Sequence, residues 1–242
     1  MSSGGRPTEA TGTLEALKGK LVVSCQAPPG HPFAELQMIL ALCRCAAQGG
    51  AGGLRVDGSA AVRAAREATG LPVIGLHKVF GGRYRLSGGR PAITPELADA
   101  RTLVLAGAEI VAIEATVELH GDNLGRHVRA VRKEVGALLM ADVSTLEEGL
   151  ASYEAGADLV ASTLSGYTAQ SARSGAPDLE LVRALVTKGV PAVAEGNISS
   201  PDHVLAALEA GARFVVVGKA ITDPLARTRA FVSATKKTET QA

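Results

Sequence analysis

Ala106-Gly107-Ala108-Glu109-Ile110-Val111-Ala112-Ile113 is the stretch on which the fold turns. A glycine just past a helix end supplies a left-handed cap, and a short β-branched run after it reads as a strand buried on both faces. The same phrase is written three more times. It stands as Gly49–Gly53 before Leu54-Arg55-Val56, as Ala155-Gly156-Ala157 before Leu159-Val160-Ala161, and as Ala210-Gly211-Ala212 before Phe214-Val215-Val216-Val217. Amphipathic segments of helical period lie between the copies. The chain is a string of βα units.

Counting outward gives eight strand candidates, at 21–26, 53–56, 72–77, 110–114, 137–142, 159–163, 192–195 and 214–218. Helical patterns separate most of them, for example at 33–47, 146–153, 179–187 and 203–209. Ser144-Thr145-Leu146-Glu147 signals the start of the helix after the fifth strand. Eight such units with right-handed crossovers close into a single (β/α)8 barrel, and 242 residues match the roughly 250 that this fold takes. A doubly wound sheet is the competitor, but it expects a Gly-rich phosphate turn after its first strand. Ser24-Cys25-Gln26-Ala27-Pro28 is not one. The barrel is expected over 14–235, between a flexible leader at 1–13 and a polar tail at 236–242.

Composition excludes several functions. With 25 basic against 24 acidic side chains there is no electrostatic case for a nucleic-acid or membrane partner. No apolar run approaches the ~18 residues of a spanning helix, and the amino terminus lacks a signal-peptide core, so a cytoplasmic location is expected. Cys25, Cys43 and Cys45 have the spacing of neither a metal site nor a disulfide framework.

The chemistry gathers at the strand ends. Gln26 ends the first strand, Arg55 lies near the end of the second, and Lys78 follows the third. Glu114 closes the fourth and Asp142 the fifth, Thr163 and Ser165 follow the sixth, and Glu195 ends the seventh. One polar residue at a strand end usually caps a helix or meets water. A barrel, however, converges all eight ends on one cavity, where a lysine, an arginine and three carboxylates perturb one another's protonation. That set suits proton transfer at carbon, and it lacks the closely spaced histidines of a zinc centre. Gly196-Asn197 and Gly218-Lys219 follow strands seven and eight, where barrels commonly hold phosphate on free backbone N–H groups. Two long connections, 79–95 with Arg83, Arg85 and Arg90 and 164–177 with Tyr167, open on the same end. His31, His120, His127 and His203 are expected to be exposed, and His77 to point to the opposite side from Lys78.

Segments Val22–Ala27, Pro72–Lys78, Met140–Gly149, Thr163–Thr168, Ala194-Glu195-Gly196 and Val215–Thr222 together resemble the N-acylmannosamine-6-phosphate 2-epimerases of amino-sugar and sialic acid catabolism. The likeness runs from about Leu17 to Val232. It implies a (β/α)8 barrel of the ribulose-phosphate-binding type, without cofactor or metal and commonly a homodimer. The implied substrate is a small amino-sugar phosphate, inverted at the acetamido-bearing carbon to give N-acetylglucosamine 6-phosphate. Lys78 and Glu195 fall on the family's catalytic positions, and Gln26, Arg55 and Glu114 on substrate-contacting ones. Asp142, Ser165 and Tyr167 join the expected substrate set, and Gly196, Asn197, Gly218 and Lys219 the expected phosphate set.

The sequence departs from the family pattern at Glu114 and Asp57, which stand for Asp and Asn. Asn197 and Asp223 each stand where the family has Arg, while Lys219 supplies a positive charge one turn before Asp223. The implied reaction puts Lys78 at C2, the carbon α to the open-chain aldehyde, with Glu195 in ring opening or proton relay. On residue chemistry alone, a Schiff-base lyase acting through Lys78 on a keto-sugar phosphate fits as well. A non-catalytic sugar-phosphate-binding barrel is the third reading, favoured by the altered phosphate loop.

Overall fold

The structure, a computed structural model, describes residues 8–171 and 175–239. In chain order it runs α1 (Thr8–Leu17), β1 (Leu21–Cys25), α2 (Leu36–Gln48), β2 (Gly53–Asp57), α3 (Ser59–Thr69) and β3 (Val73–Leu76). A short ribbon follows, β4 (Lys78–Val79) and β5 (Ala92–Ile93), then α4 (Leu97–Leu105), β6 (Ile110–Glu114), α5 (Val117–His120) and α6 (Leu124–Glu134). The second half contains β7 (Leu138–Asp142), α7 (Leu146–Glu154), β8 (Leu159–Ala161), α8 (Leu179–Thr187), β9 (Ala192–Glu195) and α9 (Pro201–Glu209). It ends with β10 (Val215–Val217), α10 (Lys219–Thr222) and α11 (Pro224–Glu239).

Eight of the strands close a parallel barrel in the order β1-β10-β9-β8-β7-β6-β3-β2. The repeated phrase is the device that builds it. Gly50, Gly107, Gly156 and Gly211 all have φ between 87° and 106°. At each, two bonds tie the cap back into the helix, as in Ala108 N–H to Leu103 (3.1 Å) and Gly107 N–H to Val104 (2.9 Å). Gly189, before β9, forms a fifth copy with Val190 N–H on Leu185 (3.0 Å), which the Lys188-Gly189-Val190 spelling hides. α7 opens on a capping box of Thr145 and Glu148, one residue later than the Ser144–Glu147 reading.

Alternation sorts the strand residues. In β6, Val111 and Ile113 pack outward under the helices, while Ile110 and Ala112 join Val22, Ile74, Met140 and Phe214 inside the barrel. Each fully buried aliphatic side chain there contributes ~1.5–3 kcal/mol relative to exposure. Leu14 and Leu17 of α1 plug the amino-terminal end of that interior. A Cβ on Gly53 would stand 2.8 Å from Leu17 Cδ2, so only glycine lets β2 and the plug approach this closely. Toward the carboxyl ends the interior turns polar, with Ser24, Arg55, Glu114 and Asp142 all buried.

Two expectations are corrected, for the leader and for the histidines. The leader at 1–13 is helical from Thr8, because Leu14 and Leu17 need a helix to present both side chains to the barrel floor. α11 runs on to Glu239, so the polar stretch from Lys236 begins as the end of a helix. His31, His120, His127 and His203 are half-buried, not exposed; His120 and His127 stack on each other with centroids 4.0 Å apart.

Candidate active site

A cavity of about 620 Å³ opens at the carboxyl ends of the strands. Gln26, Arg55, Lys78, Tyr167 and Glu195 line it, together with Gly196, Asn197, Gly218 and Lys219. His77 turns its ring away to Asp99 (2.9 Å), as alternation required. Three expected substrate contacts stand behind the wall instead. Asp142 and Glu114 have no exposed surface, and the hydroxyl of Ser165 donates to Asp178 (2.6 Å), whose other oxygen caps α8.

Arg55 organises the floor. Its side chain is 1% exposed and reaches across the barrel from β2. Nη1 and Nη2 donate to the two oxygens of Asp142 at 3.2 and 2.6 Å, and Nη1 also donates to Glu195. Thr163 Oγ1 donates to Asp142 Oδ1 (2.7 Å) and lies 3.2 Å from Glu195 Oε2. A buried arginine is tolerated only when its charge is met in this way, and removing one partner typically costs ~3–5 kcal/mol.

Lys78 and Glu195 are the candidate acid–base groups. Lys78 follows β3 and Glu195 ends β9, four places apart in the ring of eight, so they face each other across the cavity. Burial holds the Lys78 ammonium below its ordinary range; Asp57 and Glu195 oppose this, while Arg55 and Lys219 add to it. Its backbone N–H is fixed by Asp57 Oδ1 at 2.9 Å. Burial likewise pushes the Glu195 carboxyl up, with Asp142 assisting and Arg55, Thr163 and Lys78 resisting, to about 7. One group made easier to deprotonate and another made easier to protonate are the usual marks of an acid–base site.

The turns after β9 and β10 form the other wall. Gly196 (φ 103°) and Asn197 (φ 55°) are both left-handed, and the Tyr167 hydroxyl donates to Asn197 Oδ1 (3.0 Å). Lys219 begins α10 and has no ion pair among the described residues. Asp223 is partly engaged: its Oδ1 accepts from Ala226 N–H (2.8 Å) at the start of α11 and lies 3.4 Å from His31 Nε2.

Residues outside the expected set also reach the cavity, notably Phe80, Arg90 and Arg227. Arg227 follows Asp223 by one helical turn, a spacing legible in the sequence. Arg90 is different, because it belongs to a loop with three arginines and no periodic signal. It donates from Nη1 to Glu114 Oε2 (2.9 Å) and from Nη2 to Glu114 Oε1 (2.8 Å) and Glu118 Oε2 (2.8 Å). Glu114 is thereby drawn to the loop instead of the cavity.

A (β/α)8 barrel with an acid–base pair across its mouth, and glycine turns after its last two strands, has the layout of enzymes doing proton chemistry on small anionic ligands. Residues 39–237 match the family model described as "Putative N-acetylmannosamine-6-phosphate epimerase". A relative from Caldanaerobacter subterraneus, named "Putative N-acetylmannosamine-6-phosphate 2-epimerase", is 39% identical over 93% of this chain and 94% of its own length. The "Bifunctional enzyme NanE/NanK" of Brucella melitensis is 42% identical over 87% of this chain and 40% of its own. The solved structure of the N-acetylmannosamine-6-phosphate 2-epimerase from Clostridium perfringens superposes with a TM-score of 0.83 at 34% identity, covering 97% of this chain and 99% of that one. The chain belongs to this epimerase family.

Proposed function

We propose that this protein interconverts N-acetylmannosamine 6-phosphate and N-acetylglucosamine 6-phosphate by proton transfer at C2, without a cofactor. The observation that carries this reading is the placement of Lys78 and Glu195 on opposite sides of one cavity. Epimerisation removes a proton from one face of C2 and returns one to the other, and two facing groups are positioned for that exchange. Neutral Lys78 takes the C2 proton while protonated Glu195 delivers one from the far side; the reverse reaction starts from the ammonium and the carboxylate. Both states hold the same number of protons on the pair. Lowering the lysine and raising the glutamate brings them closer in energy.

The substrate's phosphate faces the turns at Gly196-Asn197 and Gly218-Lys219, with Gln26, Arg55 and Tyr167 at the sugar. Asp142 and Ser165 act one step back, by holding Arg55 and the loop after β8. A homodimer is supported by the family likeness and by the exposed apolar side chains of Ile221, Phe231 and Val232 on α10 and α11. Light scattering on the eluting protein tests it. The same reading includes a cytoplasmic location; among the described residues no helix is long and apolar enough to cross a membrane.

The decisive test follows C2 by NMR in deuterated water with N-acetylmannosamine 6-phosphate. Product should carry deuterium at C2, and Lys78→Met should lose both exchange and conversion. Conversion that retains the C2 hydrogen would argue against exchangeable acid–base groups. A borohydride-trapped adduct on Lys78 would move the assignment to Schiff-base chemistry.

A further inference from the structure

Asp223 puts a carboxylate at the end of the cavity assigned to the phosphate. It shares that wall with Lys219 and Arg227, yet among the described residues the titratable group at ion-pair distance from it is His31. Two contacts fix Oδ1: Ala226 N–H donates to it (2.8 Å), and His31 Nε2 stands 3.4 Å away. Phe33 N–H donates to His31 Nδ1 (3.0 Å), which leaves the ring proton on Nε2, on the side of Asp223. Oδ2 has no hydrogen-bond partner among the described residues, and the side chain is 22% exposed.

With C2 at Lys78 and the far end of the sugar at the β9 and β10 turns, whatever C6 carries arrives beside this carboxylate. A phosphate dianion only accepts hydrogen bonds, so it can use Lys219 and the backbone N–H groups and gains nothing from Asp223. A hydroxyl both donates and accepts. Asp223 Oδ2 is an acceptor for its proton. Asn197, whose Oδ1 already accepts from the Tyr167 hydroxyl (3.0 Å), still has its amide N–H groups to give. We infer that the protein also epimerises the unphosphorylated sugar, N-acetylmannosamine, with the 6-hydroxyl donating to Asp223. The inference rests on the epimerase reading above. The chemistry at C2 is the same: one C–H bond breaks as its proton passes to neutral Lys78, and another forms with the proton of Glu195. The phosphate takes no part in that exchange, so its loss bears on binding.

The test measures kcat/KM for N-acetylmannosamine and for its 6-phosphate, in the wild type and in Asp223→Ser. Serine keeps an oxygen to cap α11 and removes the carboxylate. Exchanging phosphate for hydroxyl gives up a charge-assisted bond at Lys219 and gains one at Asp223, each worth about ten- to a hundredfold. The wild type should therefore turn over the free sugar within about a hundredfold of the 6-phosphate. In Asp223→Ser the ratio of free sugar to 6-phosphate should fall at least about tenfold, because one ligand loses a partner and the other a like charge. Wild-type discrimination beyond about a hundredfold would overturn the inference, as would an unchanged ratio in the variant. Should the serine variant not fold, Asp223→Asn, which keeps an acceptor for Ala226, repeats the comparison with a fall of the same sign expected. A protein that converts neither sugar sinks the epimerase reading instead. Thermal stabilisation then decides the role of Asp223. A shift with N-acetylmannosamine that is lost in Asp223→Ser supports it, and no shift, or one that persists, overturns it.

Discussion

Glu114 and Glu195 occupy the same station, the carboxyl end of a barrel strand, and each meets an arginine, yet their surroundings differ. Glu114 accepts two bonds from Arg90, one from Thr116 Oγ1 (2.6 Å) and one from Ile93 N–H (3.3 Å). It has no exposed surface and no acceptor capacity left for a ligand. Glu195 receives Arg55 on one oxygen, shares that arginine with Asp142, and keeps a face on the cavity. A carboxylate saturated by donors is a fastener. One that is buried, under-supplied with donors and set beside another carboxylate is poised to exchange protons. The number of partners, more than the residue type or its place on the strand, separates the two roles.

Replacing Glu195 by Gln should produce the largest difference between the two sites. Conversion should fall by ~10²–10⁴, the usual contribution of a general acid–base group, with the fold retained. Because Lys78 remains, one epimer should still exchange its C2 hydrogen with deuterated solvent while no longer inverting. The pH profile gives an independent reading. The productive pair holds one proton: below about 7 both groups are protonated, and above the depressed Lys78 value both have lost it. Thus kcat/KM should rise through about 7 and fall again below the 10.5 of an ordinary lysine, as a bell belonging to the pair. Glu195→Gln should flatten the acid limb. Wild-type turnover in that variant would break the comparison at its reactive end.

That contrast was only half legible in the sequence. All eight barrel strands and most of the helices were readable, because the signals for buried strands and glycine caps are local. The strand-end residues could be named for the same reason, and Lys78 and Glu195 do share a cavity. Partnership was not readable. Nothing in Arg83, Arg85 and Arg90 says which one folds back onto Glu114, since that contact depends on the β4–β5 ribbon. The ribbon has two residues per strand and is held by Thr94, whose N–H donates to His77 O (2.6 Å) and whose hydroxyl accepts from His77 N–H (2.9 Å). Thr94 sits at φ 45°, where threonine is uncommon, so no local propensity announces it. The half-burial of His120 and His127 was missed for a related reason: helix residues look solvated until a loop or a neighbouring ring covers them.

At the fastening end, Glu114→Gln should cost stability and spare chemistry. In either orientation the amide turns an N–H toward an Arg90 N–H, which can only donate, and leaves Arg90 with Glu118 as its remaining carboxylate, a loss of about 3 kcal/mol. For a chain of this size that corresponds to roughly 10 °C in Tm. At 25 °C the folded variant should keep nearly its full kcat. A variant of unchanged Tm and lost turnover would return Glu114 to the substrate, where the family likeness puts it, and would erase the distinction from Glu195.

The smallest effect concerns the cations, where the same reasoning separates Lys219 from the arginines. Arg55 and Arg90 are committed to carboxylates, whereas Lys219 lines the cavity with no ion pair among the described residues. An uncommitted cation beside the Gly196 and Gly218 turns is available to an anion. Lys219→Ala should therefore raise KM for the 6-phosphate by about ten- to a hundredfold, the worth of a charge-assisted hydrogen bond of ~1.5–3 kcal/mol. Activity on the unphosphorylated sugar should hardly change. The lysine also helps hold Lys78 below its ordinary range, so its removal should move the alkaline limb of the pH profile upward. Asp223→Arg should act in the opposite sense on KM, by removing a like charge from the phosphate and adding a two-pronged donor. If both variants leave the KM ratio of the two sugars unchanged, the backbone N–H groups hold the phosphate unaided. Lys219 would then act only through its field on Lys78, and the shifted alkaline limb would be its sole signature.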